Sequence, residues 1–139
     1  MIILDTNVIS EAMKRDPNPA VKEWLNKQAV ETLYLSTIVL AELLFGVAAL
    51  ATGKRKSKLT AALNGITDLF GDRVVLFDIP TAQAYAQLMA EARLAGKAIS
   101  TADGYIAAMA ITNGMMVATR DVEPFEVAGV QVINPWEVG

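Results

Sequence analysis

The chain opens on Met1-Ile2-Ile3-Leu4 and breaks at once into Asp5-Thr6-Asn7-Val8-Ile9-Ser10-Glu11. An apolar run this short, ending in Asp-Thr-Asn, predicts a buried central strand that hands its last residues to a helix start. In open α/β sheets, ligands bind in the crevice outside the carboxyl ends of the strands, so Asp5 falls where such proteins do chemistry. The same residue also suits the N-cap of a helix covering Val8 and Ile9. Taken alone, Asp5 does not separate chemistry from capping.

Composition limits what else can act at that edge. With 139 residues, 53% of them hydrophobic, the chain is expected to form one domain, residues 1–139, with a substantial core. It has neither cysteine nor histidine, which excludes thiol catalysis, disulfides, zinc fingers and any Ser-His-Asp arrangement. Carboxylates without nitrogen or sulfur ligands suit Mg²⁺ or Mn²⁺ far better than zinc or copper. A formal charge of −3 argues against coating nucleic acid by bulk electrostatics, although a local basic patch can still hold a phosphate chain. The strand begins at Met1 with no charged leader before it, and no uncharged apolar run reaches bilayer-spanning length, so no membrane partner and a cytoplasmic location are expected. A mean hydropathy of +0.36 is high for a soluble domain and points to apolar surface covered by another chain.

Further along, a short helix is expected to end near Lys14-Arg15, followed by a break at Asp16-Pro17-Asn18-Pro19. A second amphipathic helix carries Val21, Trp24 and Leu25 on one face. Leu33-Tyr34-Leu35 reads as a strand, and Ser36 or Thr37 as the cap of a helix from Ile38 to Leu50. That helix is apolar all round except for Glu42, which shares its face with Ile38, Val39, Phe45 and Gly46 and is therefore expected to be buried. A buried carboxylate must be protonated, paired with a structural Arg or Lys, or bound to metal. Glutamates on a helix lean toward its N-terminus, here toward the edge that holds Asp5.

Thr52-Gly53 closes that helix, and Lys54-Arg55-Lys56-Ser57-Lys58 opens the next, which runs through Phe70. The cations can form a solvated face or grip phosphates, with Lys14, Arg15 and Arg120 as further candidates. Val74–Phe77 reads as a strand, ended by Asp78-Ile79-Pro80 with Asp78 as a cap, and Thr81 begins a long helix to about Gly96. Ser100 followed by Asp103 matches a capping box before an apolar helix through Ile111, which Asn113-Gly114 stops. Met115–Ala118 is a buried strand with Thr119-Arg120-Asp121 at its carboxyl end, and Gly129–Ile133 is the last strand before Asn134-Pro135-Trp136. Asp5, Glu42, Asp103 and Asp121 each have a dull explanation singly, but in a doubly wound sheet they converge on one edge. Like charges so crowded require a divalent cation to neutralise them.

The segments Leu4–Glu11, Ala41-Glu42, Ser100–Asp103, Val117–Asp121 and Ile133–Trp136, in this order over essentially the whole chain, resemble the PIN-domain ribonucleases. Among these the chain most resembles the VapC toxins of the FitB type. The resemblance implies a PIN-like three-layer α/β sandwich, with a central, mostly parallel sheet flanked by helices. It also implies an acidic pocket of Asp5, Glu42, Asp103 and Asp121, with Asp5 and Asp103 as principal metal ligands and Thr6, Asn7 and Thr119 behind them. The implied activity is Mg²⁺- or Mn²⁺-assisted hydrolysis of RNA phosphodiesters by the toxin of a type II toxin–antitoxin module. The implied partners are an RNA substrate, a second copy of the chain in a homodimer, and a cognate VapB/FitA-like antitoxin that pushes an Arg into the pocket. One departure matters: many relatives have Asn in place of Asp121 and an acid in place of Pro124, which leaves the fourth acidic position open between Asp121 and Glu123.

Two other classes remain open. A phosphatase or phosphotransferase of the aspartyl-nucleophile kind also ends its first strand in Asp, but usually carries a second acid two residues on, where this chain has Asn7. A catalytically idle PIN-like module that binds RNA or protein keeps the same residues without turnover.

Overall fold

In a computed structural model, residues 1–138 are described. Strands β1 (Ile2–Leu4), β2 (Leu33–Ser36), β3 (Val74–Val75), β4 (Met116–Ala118) and β5 (Val132–Ile133) form a five-stranded sheet in the order β3-β2-β1-β4-β5. Each neighbouring pair is parallel, so the sheet is wholly rather than mostly parallel. Parallel neighbours cannot be joined by a tight turn and need a crossover, usually helical. Helices α1 (Thr6–Ala12) and α2 (Pro19–Lys27) link β1 to β2, and α3 (Thr37–Ala48) and α4 (Lys54–Phe70) link β2 to β3. Helices α5 (Ile79–Leu94) and α6 (Thr101–Asn113) return the chain to β4, and the short α7 (Glu123–Val127) precedes β5.

This connectivity places the functional edge. The chain steps outward from β1 to β2 and β3, then returns to the other side of β1 for β4 and β5. The reversal lies between β1 and β4, and in open parallel sheets the crevice forms at the carboxyl ends beside such a reversal. Both strands there are apolar enough to be fixed by burial: Ile3 and Val117 are fully buried, and Ile3 pairs with Val117 in register. Leu35, Val39, Ile106, Met109 and Phe125 complete the surrounding core.

Local chemistry sets most helix ends. The Asn18 side chain accepts from Ala20 N (2.9 Å), Ser36 Oγ from Val39 N (3.1 Å), Asp78 Oδ1 from Thr81 N (3.0 Å) and Ser100 Oγ from Asp103 N (3.2 Å). Each supplies an acceptor to an otherwise orphaned first-turn amide. Gly114 ends α6 in the left-handed region at φ 63°, where a side chain would be strained.

The structure departs from the sequence expectations at several ends. The strand expected over Val74–Phe77 stops at Val75, and Leu76 and Phe77 are exposed. Helix α5 starts at Ile79 rather than Thr81, because a proline in the first turn lacks only an amide that has no partner there. The last strand is Val132–Ile133 rather than Gly129–Ile133. A 3₁₀ turn at Val30–Thr32 and helix α7 were not foreseen. No helix among the described residues is long and apolar enough to cross a membrane.

Helix α6 carries Asp103 and lies unusually close to α5. A Cβ placed on buried Gly104 would come within 2.7 Å of Met89 Sδ and 2.9 Å of Tyr85 Cε2. Tyr85 stacks in turn on Tyr105 (4.6 Å between centroids), which meets Phe77 edge-on at 4.9 Å. Gly104→Ala is therefore expected to destabilise the fold by about 1–2 kcal/mol in urea unfolding, although helix propensity alone would favour Ala by about 1 kcal/mol. A variant as stable as the parent would mean that Met89 and Tyr85 move aside freely.

Candidate active site

Because β1 ends between β2 and β4, its next residue emerges at the centre of the carboxyl edge, and that residue is Asp5. Its amide donates to Ala118 O (2.9 Å), fixing it to the end of β4. Its carboxylate is only 5% exposed. Oδ1 accepts from Thr6 N at 2.8 Å, which is the expected capping contact. Oδ2 accepts from Thr119 Oγ1 at 2.7 Å and lies 3.5 Å from Asn7 Nδ2. Capping and a place at the edge are thus combined in one side chain.

The same short polar residues tie the loop after β4 to the start of α1. Thr119 Oγ1 accepts from Asn7 Nδ2 (3.1 Å) and from the Asp121 amide (3.1 Å). Asn7 Oδ1 accepts from the Arg120 amide at 3.2 Å. On the other side, Thr6 Oγ1 donates to Glu42 Oε1 at 3.0 Å. A continuous chain of hydrogen bonds therefore joins Glu42, Thr6, Asp5, Thr119 and Asp121. Networks of this kind fix rotamers more firmly than isolated bonds do.

The acids also act on one another electrostatically. Burial pushes the Asp5 carboxyl up from its ordinary 3.8 to about 6, against the hydrogen bonds from Thr119 and Thr6, and the negative charges of Asp103 and Glu42 push the same way. Asp103, at the start of α6, is half-buried and is also raised, first by desolvation and then by the charge of Asp121, while Ser100 opposes the shift. The ion pairs among the described residues are Lys14–Glu11 (2.9 Å) and Lys27–Glu23 (3.0 Å), so no lysine or arginine neutralises this group.

The expectation for Glu42 is corrected in one respect. Its carboxylate is exposed rather than buried, because α3 buries only Val39 and Leu43 and turns Leu44 (50% exposed) and Phe45 (75% exposed) outward. The apolar composition of α3 reflects an open face. Asp121 is exposed as well, and Glu123 opens α7 without a hydrogen bond to the network among the described residues. Thr6, Asn7 and Thr119 all contact the acids. Of the basic run, Lys54, Arg55 and Lys58 are exposed at the start of α4, whereas Lys56 Nζ donates to Ala48 O (3.1 Å) and closes the end of α3. Sequence reasoning missed Glu11, which is 7% exposed, pairs with Lys14 and accepts from the Asn18 amide (3.0 Å), tying α1 to the turn before α2. Its signal was the Glu11/Lys14 spacing of three residues, and Lys14 first, then the Asn18 amide, hold its carboxyl below the usual range.

Among the described residues, no three acids stand close enough to ligate one ion jointly. Mg²⁺ commonly takes one or two carboxylates and fills its octahedron with water and substrate oxygen. The all-oxygen donor set fits that mode. Asp5 is a buried carboxylate with no cation partner, and Asp103 is near enough for its charge to be felt.

Residues 2–130 match the PIN domain family. The chain is 53% identical over 138 residues to the VapC ribonuclease Y4jK of Sinorhizobium fredii, covering 99% of each chain. It is 49% identical over 137 residues to the toxin FitB of Neisseria gonorrhoeae, covering 98% of this chain and 99% of the relative. The crystal structure of FitAcB from Neisseria gonorrhoeae superposes with a TM-score of 0.95 at 48% identity, over 99% of this chain and 100% of that one.

Burial of Asp5 has a measurable consequence for stability. Below pH 3.8 the carboxyl is neutral in both folded and unfolded chains; between there and about 6 only the unfolded chain ionises, so stability is lost as pH rises. In EDTA, Asp5→Asn is expected to gain on the parent across that range, reaching about 2–3 kcal/mol by pH 7. Urea unfolding at intervals from pH 4 to 8 measures it; a parent–variant difference independent of pH would refute the burial penalty.

Proposed function

The chain belongs to the PIN-domain family, and on that premise we propose that it is the ribonuclease toxin of a toxin–antitoxin module, hydrolysing RNA phosphodiesters with Mg²⁺ or Mn²⁺ at the Asp5 edge. The observation that carries this reading is Asp5 itself. A carboxylate buried at the topological switch point, desolvated and without a cation, is stabilised in its charged form by an incoming dication. Asp5 and Asp103 would hold the metal, with Glu42 and Asp121 adding negative charge at the rim. Bound there, the ion supplies Lewis acidity, activating water and offsetting charge on the phosphoryl group.

The chain's own residues do the rest. Thr119 and Thr6 hold the two Asp5 oxygens in fixed directions, so the ligand does not need to be ordered when substrate arrives. Thr6 also orients Glu42, and Asn7 fixes the loop that presents Asp121. Histidine is absent, so proton transfer falls to carboxylates or solvent. Glu42 and Asp121 are both exposed to solvent at the rim. Asn7 stands where an aspartyl phosphotransferase needs its second acid, and its amide is committed to Asp5, Thr119 and Arg120, which disfavours that reading.

The proposal extends to partners and place: a cytoplasmic toxin with residues 1–139 as one PIN unit, restrained by an antitoxin and paired with a second copy. A toxic nuclease acting on the cell's own RNA requires a restraining partner, and an antitoxin Arg reaching Asp5 would compete with metal for its oxygens. The outward Leu44 and Phe45 of α3 supply an apolar surface for the homodimer.

Asp5→Asn and Asp103→Asn are each expected to lower cleavage of structured RNA in Mg²⁺ by about a hundredfold or more, while Asp78→Asn, which alters only the α5 cap, keeps its rate. Activity is expected to vanish in EDTA and return with Mn²⁺. Equal cleavage by the Asp5 variant and the parent would refute the reading, and hydrolysis of a chromogenic phosphate ester with RNA left intact would favour the phosphatase. For the assembly, light scattering after size exclusion is expected to give a dimer mass for the parent and a monomer mass for Phe45→Glu; identical masses would remove α3 from the interface.

A further inference from the structure

Two arginines of the chain lie over aromatic rings: Arg73 is 5.3 Å from the centroid of Phe70, and Arg120 is 5.2 Å from that of Trp136. Both distances are within cation–π range. Their remaining donors are used very differently. Arg73 is half-buried and spends its guanidinium on the backbone, with Nε donating to Leu33 O (3.0 Å) and Nη2 to Leu69 O (3.4 Å), which ties the end of α4 to β2. Arg120 is exposed, and among the described residues its guanidinium makes neither a hydrogen bond nor an ion pair. Asp121 is the next residue, and the Glu11 carboxylate feels the Arg120 charge, yet neither captures it.

The stack is also well held. Trp136 is half-buried against the core, and its amide donates to Asn134 Oδ1 at 3.0 Å. The Arg120 amide is bound by Asn7 Oδ1, the same side chain that contacts Asp5 and Thr119. The guanidinium therefore rests on the ring above a backbone held by Asn7, and its N–H groups are unpaired among the described residues. A guanidinium resting on an aromatic face, more weakly hydrated than an ammonium, is suited to bidentate contact with a phosphate.

Its place along the edge gives it a partner. From β2 across to β5, the carboxyl edge presents Glu42, then Asp5, then Thr119-Arg120-Asp121, then Trp136. A strand with a phosphodiester at Asp5, running toward β5, passes beside Asp121 and meets a guanidinium that no acid among the described residues has paired. We propose that Arg120, held over Trp136, is a positioning residue that binds a non-scissile phosphate of the RNA strand on the β5 side of the acidic cleft. This rests on the ribonuclease reading for its substrate class, but its test is separable from turnover.

The test is fluorescence anisotropy with a short fluorescein-labelled single-stranded RNA, in the Asp5→Asn background so that no cleavage intervenes, over a series of salt concentrations. Arg120→Ala is expected to weaken binding about tenfold and to reduce the slope of log affinity against log salt by about one. Trp136→Leu keeps the charge, so it is expected to weaken binding about threefold with the slope unchanged. Should Trp136→Leu lose its cooperative thermal transition, Arg120→Lys replaces it, since lysine keeps the charge without the planar stack. In the otherwise unaltered chain, Arg120→Ala is expected to raise KM while kcat stays within about twofold.

Unchanged affinity and slope in Arg120→Ala would overturn the proposal, as would a loss of kcat with KM unchanged. A parent that cuts RNA with a KM indifferent to Arg120 would overturn it and leave the nuclease standing. A parent that binds RNA with an Arg120-dependent slope but never cuts would do the reverse, and absence of any RNA binding would overturn both.

Discussion

The hydrogen bond from Thr119 Oγ1 to Asp5 Oδ2, 2.7 Å long and buried, is the point at which fold and function meet. It joins the residue after β4 to the residue after β1, the two strands flanking the reversal in sheet order. The sheet brings the ends together, and the bond converts that proximity into a directed carboxylate. It does not make the carboxylate comfortable. Burial still raises Asp5 to about 6, so the charged form carries a cost in the metal-free chain that two good hydrogen bonds only partly offset. Binding sites commonly hold such strain.

The other acids are arranged differently because they lie on different kinds of element. Asp103 stands half-buried in the first turn of α6, where the Ser100 side chain caps its backbone amide. The closeness of α6 to α5 at Gly104 fixes where that first turn can lie. Glu42 reaches the site only through Thr6 Oγ1, and Asp121 sits on a loop whose amide is bound by Thr119. One buried carboxylate, one half-buried and two exposed make a gradient of burial across the site.

Local signals in the sequence account for what could be read from it. The apolar run before Asp5, the caps at Ser36, Asp78 and Ser100, and the glycine after Asn113 each act over a few residues, and each is found where its chemistry placed it. What escaped reading depends on tertiary contact. Glu42 looked buried because every neighbour on α3 is apolar, yet whether an apolar face is covered is a property of packing, and in the single chain that face is open. Helix α7 spans only Glu123–Val127 and contains Pro124, so it offers no periodicity to detect, although Phe125 anchors it as one of the largest buried side chains. Lys56 looked like its neighbours in a basic run, and only the fold shows its ammonium closing α3 at Ala48. The Arg120–Trp136 stack joins residues sixteen positions apart through the pairing of β4 and β5, which no local pattern reveals.

These placements explain how a chain with net charge −3 can address a polyanion. Net charge governs the distant field, but at contact the arrangement of individual charges decides. The acids Asp5, Glu42, Asp103 and Asp121 lie along the carboxyl edge, close enough for the charges of Asp103 and Glu42 to act on Asp5 and that of Asp121 on Asp103. Exposed cations stand at the start of α4, and one, Arg120, rests over Trp136 beside Asp121. Had Arg120 paired with Asp121 or Glu11, the edge would have lost a free carboxylate and a free guanidinium in one contact. Resting that guanidinium on an aromatic face keeps it close to the Asp121 carboxylate without pairing with it.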